Sequence, residues 1–299
     1  MDSLVDKIKQ LAKERDAIIL AHNYQLPEVQ DIADFTGDSL ELSRKAAKVE
    51  NKVILFCGVH FMAETAKILS PDKIVLIPDA NAGCPMADMI DAPSLREFKA
   101  AHPGLPVVAY VNTSAEVKAE SDICCTSANA VKVVESLDSD AVLFVPDKSL
   151  GAYVASKTNK KVITYSGFCP THHRIMAHDV IKAKKNHPEA LVIAHPECAS
   201  DILKLADAIE STSGMLRYVK ESNASEFIVC TERGLLHGLS KAAPDKKFYN
   251  PSPLNICPNM KKITLEKMLW ALEDMKYEIS LPTDVLEKAR KAIEGMVAI

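Results

Sequence analysis

Short apolar runs alternate with amphipathic stretches along the whole of this chain. The runs AIILA, PVVAY and LVIAH each follow a polar segment predicted to be helical, over residues 3–14, 94–101 and 178–186. The last two segments end at His102-Pro103 and His187-Pro188, where proline stops a helix. Each run leads to a helical stretch and a short second strand. That strand enters Gly37-Asp38-Ser39, Thr126-Ser127-Ala128 or Ser211-Thr212-Ser213, residues suited to capping a new helix. A third strand (KVILF, AVLFV, EFIVC), a helix and a fourth strand (KIVLIP, KVITY, KFYNP) complete the set. The strands are continuous Val/Ile/Leu runs, as expected for sheets covered on both faces. Alternation with helices implies parallel βαβ crossovers. Beyond Met260 the pattern is mostly helical, and this tail is expected to pack back on the first unit.

The pattern repeats in phase. Cys84-Pro85, Cys169-Pro170 and Cys257-Pro258 lie 85 and 88 residues apart, each in the loop after a fourth strand. His22, Tyr110 and His195 end the first runs, and a hydroxyl follows 17 residues later in each case: Ser39, Ser127 and Thr212. At 36 residues come Gly58, Pro146 and Thr231. Each repeat is domain-sized, so a pseudo-threefold triangle fits better than a solenoid. The expected fold is α/β, with three three-layer α/β/α domains around a central site. The domains are residues 1–85 with 259–299, 86–170 and 171–258.

Composition narrows the function. The 299 residues carry 47% hydrophobic and 25% charged positions with a net charge of −4, ordinary values for a globular enzyme. The balance attracts neither nucleic acid nor anionic membrane. The amphipathic start is unlike a signal peptide, and no apolar run reaches membrane-spanning length. A cytosolic chain is expected, in which disulfides are rare. Eight cysteines then invite a metal or redox reading. Cys57, Cys124, Cys125 and Cys230 lie in strand-like runs and read as core residues. Cys198 stays ambiguous.

Ligands of parallel sheets bind beyond the carboxyl ends of the strands, where the in-phase residues all fall. No pair of the three Cys-Pro cysteines forms CxxC, and three thiols cannot close a four-sulfur zinc site. They can hold three irons of a [4Fe–4S] cluster, leaving the fourth iron open as a Lewis acid. The alternative is three unrelated cysteines in proline turns, which their common phase disfavours. Ser39, Ser127 and Thr212 read as caps whose helix ends also bind anions. His22, Asn23 and Tyr24, Tyr110, Val111 and Asn112, and His195, Pro196 and Glu197 supply acids, bases and donors. His172, three residues past Cys169, is a further candidate, with a surface histidine as its alternative.

The strings AHNYQLPEVQDIAD, GDSLELSRKA, FMAETAKIL, YVNTSAEVKA, CTSANAV, HPEC and CPNMKKITLEK together resemble quinolinate synthases of the short, three-cysteine type. The resemblance spans about residues 17 to 270. It implies a [4Fe–4S] enzyme of NAD biosynthesis that condenses iminosuccinate with dihydroxyacetone phosphate to quinolinate, phosphate and water. The iminosuccinate would come from an aspartate oxidase or dehydrogenase. It implies Cys84, Cys169 and Cys257 as cluster ligands. It implies His22, Tyr24, Tyr110, His195 and Glu197 as catalytic residues, with Tyr24 in a mobile region. Ser39, Val111, Asn112, Ser127, Pro196 and Thr212 complete the substrate site. The family's Ser-Thr-Gly reads Ser211-Thr212-Ser213 here, and no CxxC follows Cys257. A reductive diphosphate dehydroxylase and an iron–sulfur sensor are the competing readings. The HNYQ, YVNTSA and HPEC strings disfavour the first, and the lack of a basic face the second.

Overall fold

The computed structural model describes residues 3–299. Its first unit runs α1 (Leu4–Glu14), β1 (Ala17–His22), α2 (Pro27–Ile32), β2 (Phe35–Gly37), α3 (Ser39–Ala46), β3 (Val53–Cys57), α4 (His60–Leu69), β4 (Ile74–Leu76). The second runs α5 (Ala92–Ala100), β5 (Val107–Tyr110), α6 (Ala115–Ala119), β6 (Ile123–Cys125), α7 (Ala130–Ser136), β7 (Ala141–Val145), α8 (Lys148–Ala155), β8 (Lys161–Thr164). The third opens with the short α9 (Pro170–His173) and continues α10 (Ala177–Asn186), β9 (Leu191–Ala194), α11 (Ser200–Leu203), β10 (Ala208–Ile209). It closes with α12 (Thr212–Glu221), β11 (Glu226–Cys230), α13 (Leu235–Ala242) and β12 (Lys247–Tyr249).

Each unit holds one four-stranded parallel sheet, and the strand order is the same in all three: second, first, third, fourth. The fold is therefore α/β with three parallel sheets, as the alternating pattern predicts. One aspartate shows how closely the units match. Asp34, Asp122 and Asp207 each accept the backbone N–H of the first strand, from Ile19, Val107 and Val192, at 2.7–2.8 Å. Each fixes the start of the second strand against the first. In this strand order the chain leaves the first strand in both directions, so a crevice opens at its carboxyl end.

Some element ends move from their sequence expectation. α5 begins two residues earlier, because Asp91 accepts the Ser94 N–H at 2.8 Å and Pro93 fits the first turn. α1 is capped by Ser3, whose hydroxyl and Asp6 form a capping box.

The tail splits between two units. α14 (Leu265–Asp274) buries Met268, Ala271 and Leu272 and packs on α1. α15 (Thr283–Ala298) buries Ala289, Ala292, Ile293 and Met296 and lies across α6, β6 and α4, joining the first unit to the second. Asn129 Nδ2 donates to the Met296 carbonyl at 2.9 Å, and Arg44 Nε to the Val297 carbonyl at 3.2 Å. The third unit has a small core of its own around Val192, Cys198, Ile202 and Ile228.

Candidate active site

One cavity sits where the carboxyl ends of the three sheets face each other. Residues from every unit line it: His22, Tyr24 and Ser39; Tyr110, Asn112 and Ser127; His195, Glu197 and Thr212; and Cys84, Cys169 and Cys257. Strand ends position most of them, since a side chain that ends a buried strand points past the sheet edge.

Glu197 is the centre of charge. Its Oε1 accepts the Tyr110 hydroxyl at 2.7 Å, and its Oε2 lies 2.6 Å from His172 Nδ1 and 3.6 Å from His195 Nδ1. Burial alone would raise its pKa. His172, the Tyr110 hydrogen bond and His195 outweigh this and hold it down at about 2. Glu197 is thus a carboxylate at any working pH. Burial and Glu197 push the Tyr24 and Tyr110 phenols well up, so both are neutral donors.

The histidines of the first and third units share one device. The backbone N–H two residues on donates to Nδ1: Tyr24 to His22 at 3.1 Å, Glu197 to His195 at 3.3 Å. Nδ1 is then an acceptor, and each neutral ring carries its proton on Nε2. Burial holds both at about 3, more than offsetting Glu197. His195 Nε2 lies 3.1 Å from Ser127 Oγ.

His172 is not a surface histidine. It is 1% exposed and stacks on His195 with ring centroids 4.7 Å apart. Its Nδ1 is 3.1 Å from the Cys169 thiol and its Nε2 2.8 Å from Thr231 Oγ1. Cys169, His172 and Glu197 thus converge on one point. Thr231 also meets the Tyr24 hydroxyl at 2.6 Å, which fixes that ring over the cavity.

The hydroxyl triplet departs from expectation. Ser39, Ser127 and Thr212 are not helix caps. The caps are Asp38 for α3, with its carboxylate on the Leu40 and Glu41 amides, and Ser211 for α12, bonded to Gly214 N. Asn129 precedes α7. Asp38 and Ser211 take the capping role for α3 and α12, and Asn129 makes no side-chain cap for α7, so the triplet is available to the cavity. Val111 and Pro196 do not line it: Val111 is buried behind β5, and Pro196 faces a separate groove. Asn112 does, and its buried Oδ1 has no partner among the described residues.

The three thiols suit a cluster. None is in a disulfide. Backbone N–H groups two or three residues on approach each sulfur, short of a full hydrogen bond: Met86 and Ala87 near Cys84, His172 near Cys169, Asn259 and Met260 near Cys257. Amides aimed at sulfur are the usual surroundings of cluster thiolates. Burial pushes Cys84 up to about 12 and raises the other two. The metal-free thiols are therefore protonated, and metal binding must release protons. Cys57, Cys124, Cys125 and Cys230 are buried in strands, and the Cys198 thiol donates to the Cys230 carbonyl at 3.3 Å.

Glu232 and Lys261 were not legible as site residues. Glu232 is 0% exposed, lines the cavity and pairs with Lys261, whose Nζ also donates to the Tyr24 carbonyl. Glu232 stands one position past the in-phase Thr231, which was the available signal.

Comparison with known proteins bears on the chain as a whole. The family model described as quinolinate synthetase A protein matches residues 6–298. The quinolinate synthase of Dehalococcoides mccartyi (strain CBDB1) is 59% identical over 293 residues, covering 98% of this chain and 97% of that protein. That of Methanosarcina barkeri is 56% identical over 296 residues, covering 99% and 97%. That of Desulforudis audaxviator is 54% identical over 299 residues, covering 100% and 99%.

Proposed function

The chain belongs to the quinolinate synthase family and is an enzyme, and from that premise we propose that it condenses iminosuccinate with dihydroxyacetone phosphate to quinolinate, phosphate and water. The product feeds NAD biosynthesis, and an aspartate oxidase or dehydrogenase supplies the iminosuccinate. Among the described residues no helix is long and apolar enough to cross a membrane, which suits a cytosolic enzyme. The three sheet-bearing units are read as domains of residues 1–85 with 259–299, 86–170 and 171–258.

One observation carries the reading. Three cysteines from three repeats line one cavity together with neutral donors and the buried carboxylate Glu197, held ionised by its neighbours. Cys84, Cys169 and Cys257 would hold a [4Fe–4S] cluster. When bound, that cluster supplies an iron without a protein ligand, a Lewis acid for a substrate oxygen.

The remaining chemistry belongs to the chain. Ser39, Ser127, Thr212 and Asn112 grip the carboxylates of iminosuccinate and the anionic groups of its partner. His22 and His195 donate from Nε2 and stay uncharged, so they orient substrate without adding a fixed cation. Tyr110 donates to Glu197 in the resting site and can turn that hydrogen bond to a developing oxyanion. Glu197 accepts protons lost from carbon and, through His172, returns them to the hydroxyl that leaves as water, so that each dehydration balances. Burial excludes water from the reactive enamine, which hydrolysis would destroy.

Anaerobic purification, reconstitution with iron and sulfide, and assay with iminosuccinate and dihydroxyacetone phosphate test the reading. Quinolinate must form in proportion to cluster content. A fully loaded protein that forms none contradicts it.

A further inference from the structure

The Cys-Pro loops are tied down by a device that two repeats have and one lacks. In all three units a residue at or just before the start of the helix after the third strand donates its backbone N–H to the carbonyl two residues before the cysteine. The bonds are His60 N to Ala82 O, Lys148 N to Gly167 O and Arg233 N to Asn255 O, at 2.8, 2.8 and 2.9 Å. The residue just before each donor differs: Val59, Asp147 and Glu232. Glu232 and Asp147 are both 0% exposed. Their carboxylates therefore sit behind the loops at equivalent places, and the first repeat has an aliphatic side chain there.

The two carboxylates are not equally engaged. Glu232 Oε1 accepts the Cys257 backbone N–H at 3.1 Å, and Oε2 accepts Gly234 N at 2.6 Å. Lys261 balances its charge. Asp147 Oδ1 caps α8 through Ser149 and Leu150 N, at 2.7 and 2.8 Å. The Cys169 amide approaches the same carboxyl, short of a full hydrogen bond, and Oδ2 is buried with no partner among the described residues. Behind Cys84 lies a second cavity of about 250 Å³, lined by His60, Phe61, Gly83, Cys84 and Asp88. Cys84, Gly83 and Phe61 also border the central cavity, so this loop is approached from both sides.

We propose that Glu232 and Asp147 are positioning residues for Cys257 and Cys169, and that Cys84 is the loosely held corner through which a cluster is released. The proposal rests on the cluster reading above. It ranks the three ligands: Cys257 is held most firmly, Cys169 next, Cys84 least. A net hydrogen bond to the loop backbone corresponds to a difference of roughly two- to tenfold in release between neighbours in that order.

The test uses the anaerobically reconstituted full-length protein. It is challenged with a ferrous-iron chelator, quenched at intervals with an alkylating reagent, and each cysteine's labelling is read by peptide mass spectrometry. Labelling rates of the metal-free protein correct for accessibility. Cys84 is expected to lose protection first and Cys257 last. In Glu232→Gln the amide NH₂ must face a donor at either oxygen position, and Cys257 is expected to become as labile as Cys84. In Asp147→Asn the cap oxygen is kept while Cys169 loses its carboxylate, and only Cys169 should advance. The wild-type order needs no variant, and circular dichroism checks that the variants fold. Simultaneous release of all three cysteines, or Cys257 released first, overturns the proposal. So does a folded Glu232→Gln in which Cys257 keeps its place. If iron protects none of the three in the wild type, the cluster reading itself fails instead.

Discussion

Glu197 is a buried carboxylate in contact with three polar side chains of the cavity, Tyr110, His172 and His195. Glu197→Gln removes the only proposed proton acceptor on that wall. Turnover is expected to fall by roughly 10²–10⁴-fold, the usual worth of a positioned general base. Steady-state kinetics at equal iron content checks this; unchanged turnover contradicts the role. The hydroxyl triplet separates binding from stability. Since Asp38 caps α3, Ser39→Ala should change the unfolding free energy by under about 0.5 kcal/mol, whereas Thr212→Ala should cost about 1 kcal/mol, because its buried hydroxyl accepts Asn23 Nδ2 at 3.0 Å. They should weaken dicarboxylate binding by roughly 1.5–3 kcal/mol. Denaturant unfolding and calorimetry measure both, and the reverse pattern would restore capping as their role. The neutral histidines set a pH dependence. His22 and His195 titrate at about 3 in the folded chain against about 6.5 unfolded. Between these values the unfolded state binds more protons, so their contribution is intact above about pH 6.5 and lost as pH falls toward 3. The melting temperature of the metal-free protein should drop from about pH 7 to about pH 5, and drop less in His22→Gln/His195→Gln. At this scale the polar strand ends were legible, because a polar residue closing an apolar run has few other uses. Glu232 and Asp147 were not, because an acid after a strand ordinarily faces water.

Elements follow local chemistry, and their partners do not. The strands and amphipathic helices stood out because three layers impose continuous apolar runs inside and a polar stripe outside. The helix starts at Ser39, Ser127 and Thr212 were placed within a few residues, yet the caps were assigned one or two positions away. Several consecutive small polar residues offer equivalent caps, and only the fold selects one. The tail shows the same limit. Its buried stripe Ala289, Ala292, Ile293 and Met296 has helical spacing, but spacing does not say which surface covers it. α14 returns to the first unit, whereas α15 bridges the first and second. Ile293→Ala is therefore expected to cost about 2–5 kcal/mol as a buried large-to-small change, and to loosen both units together. Thermal unfolding by two probes checks this, and a loss under about 1 kcal/mol would mean that α15 is an accessory.

The whole molecule is one motif used three times, and its centre is where the copies differ usefully. The same strand order and the same backbone bond to each Cys-Pro loop recur in every unit. The first strands end in histidine, tyrosine and histidine. Phase within the sequence revealed this symmetry because each landmark is fixed by a strand end. It could not reveal how far each loop is anchored, since that depends on side chains meeting across units. The central claim is that three equivalent cysteines, and no others, hold the cofactor of a quinolinate-forming cavity. The most direct test is the visible absorption and iron content of the eight single Cys→Ser variants, each reconstituted anaerobically and assayed for quinolinate. Cys84→Ser, Cys169→Ser and Cys257→Ser should lose the cluster spectrum and the activity, while the variants at Cys57, Cys124, Cys125, Cys198 and Cys230 keep both. A full cluster in any of the first three, or its loss from a folded variant of the other five, would contradict the account.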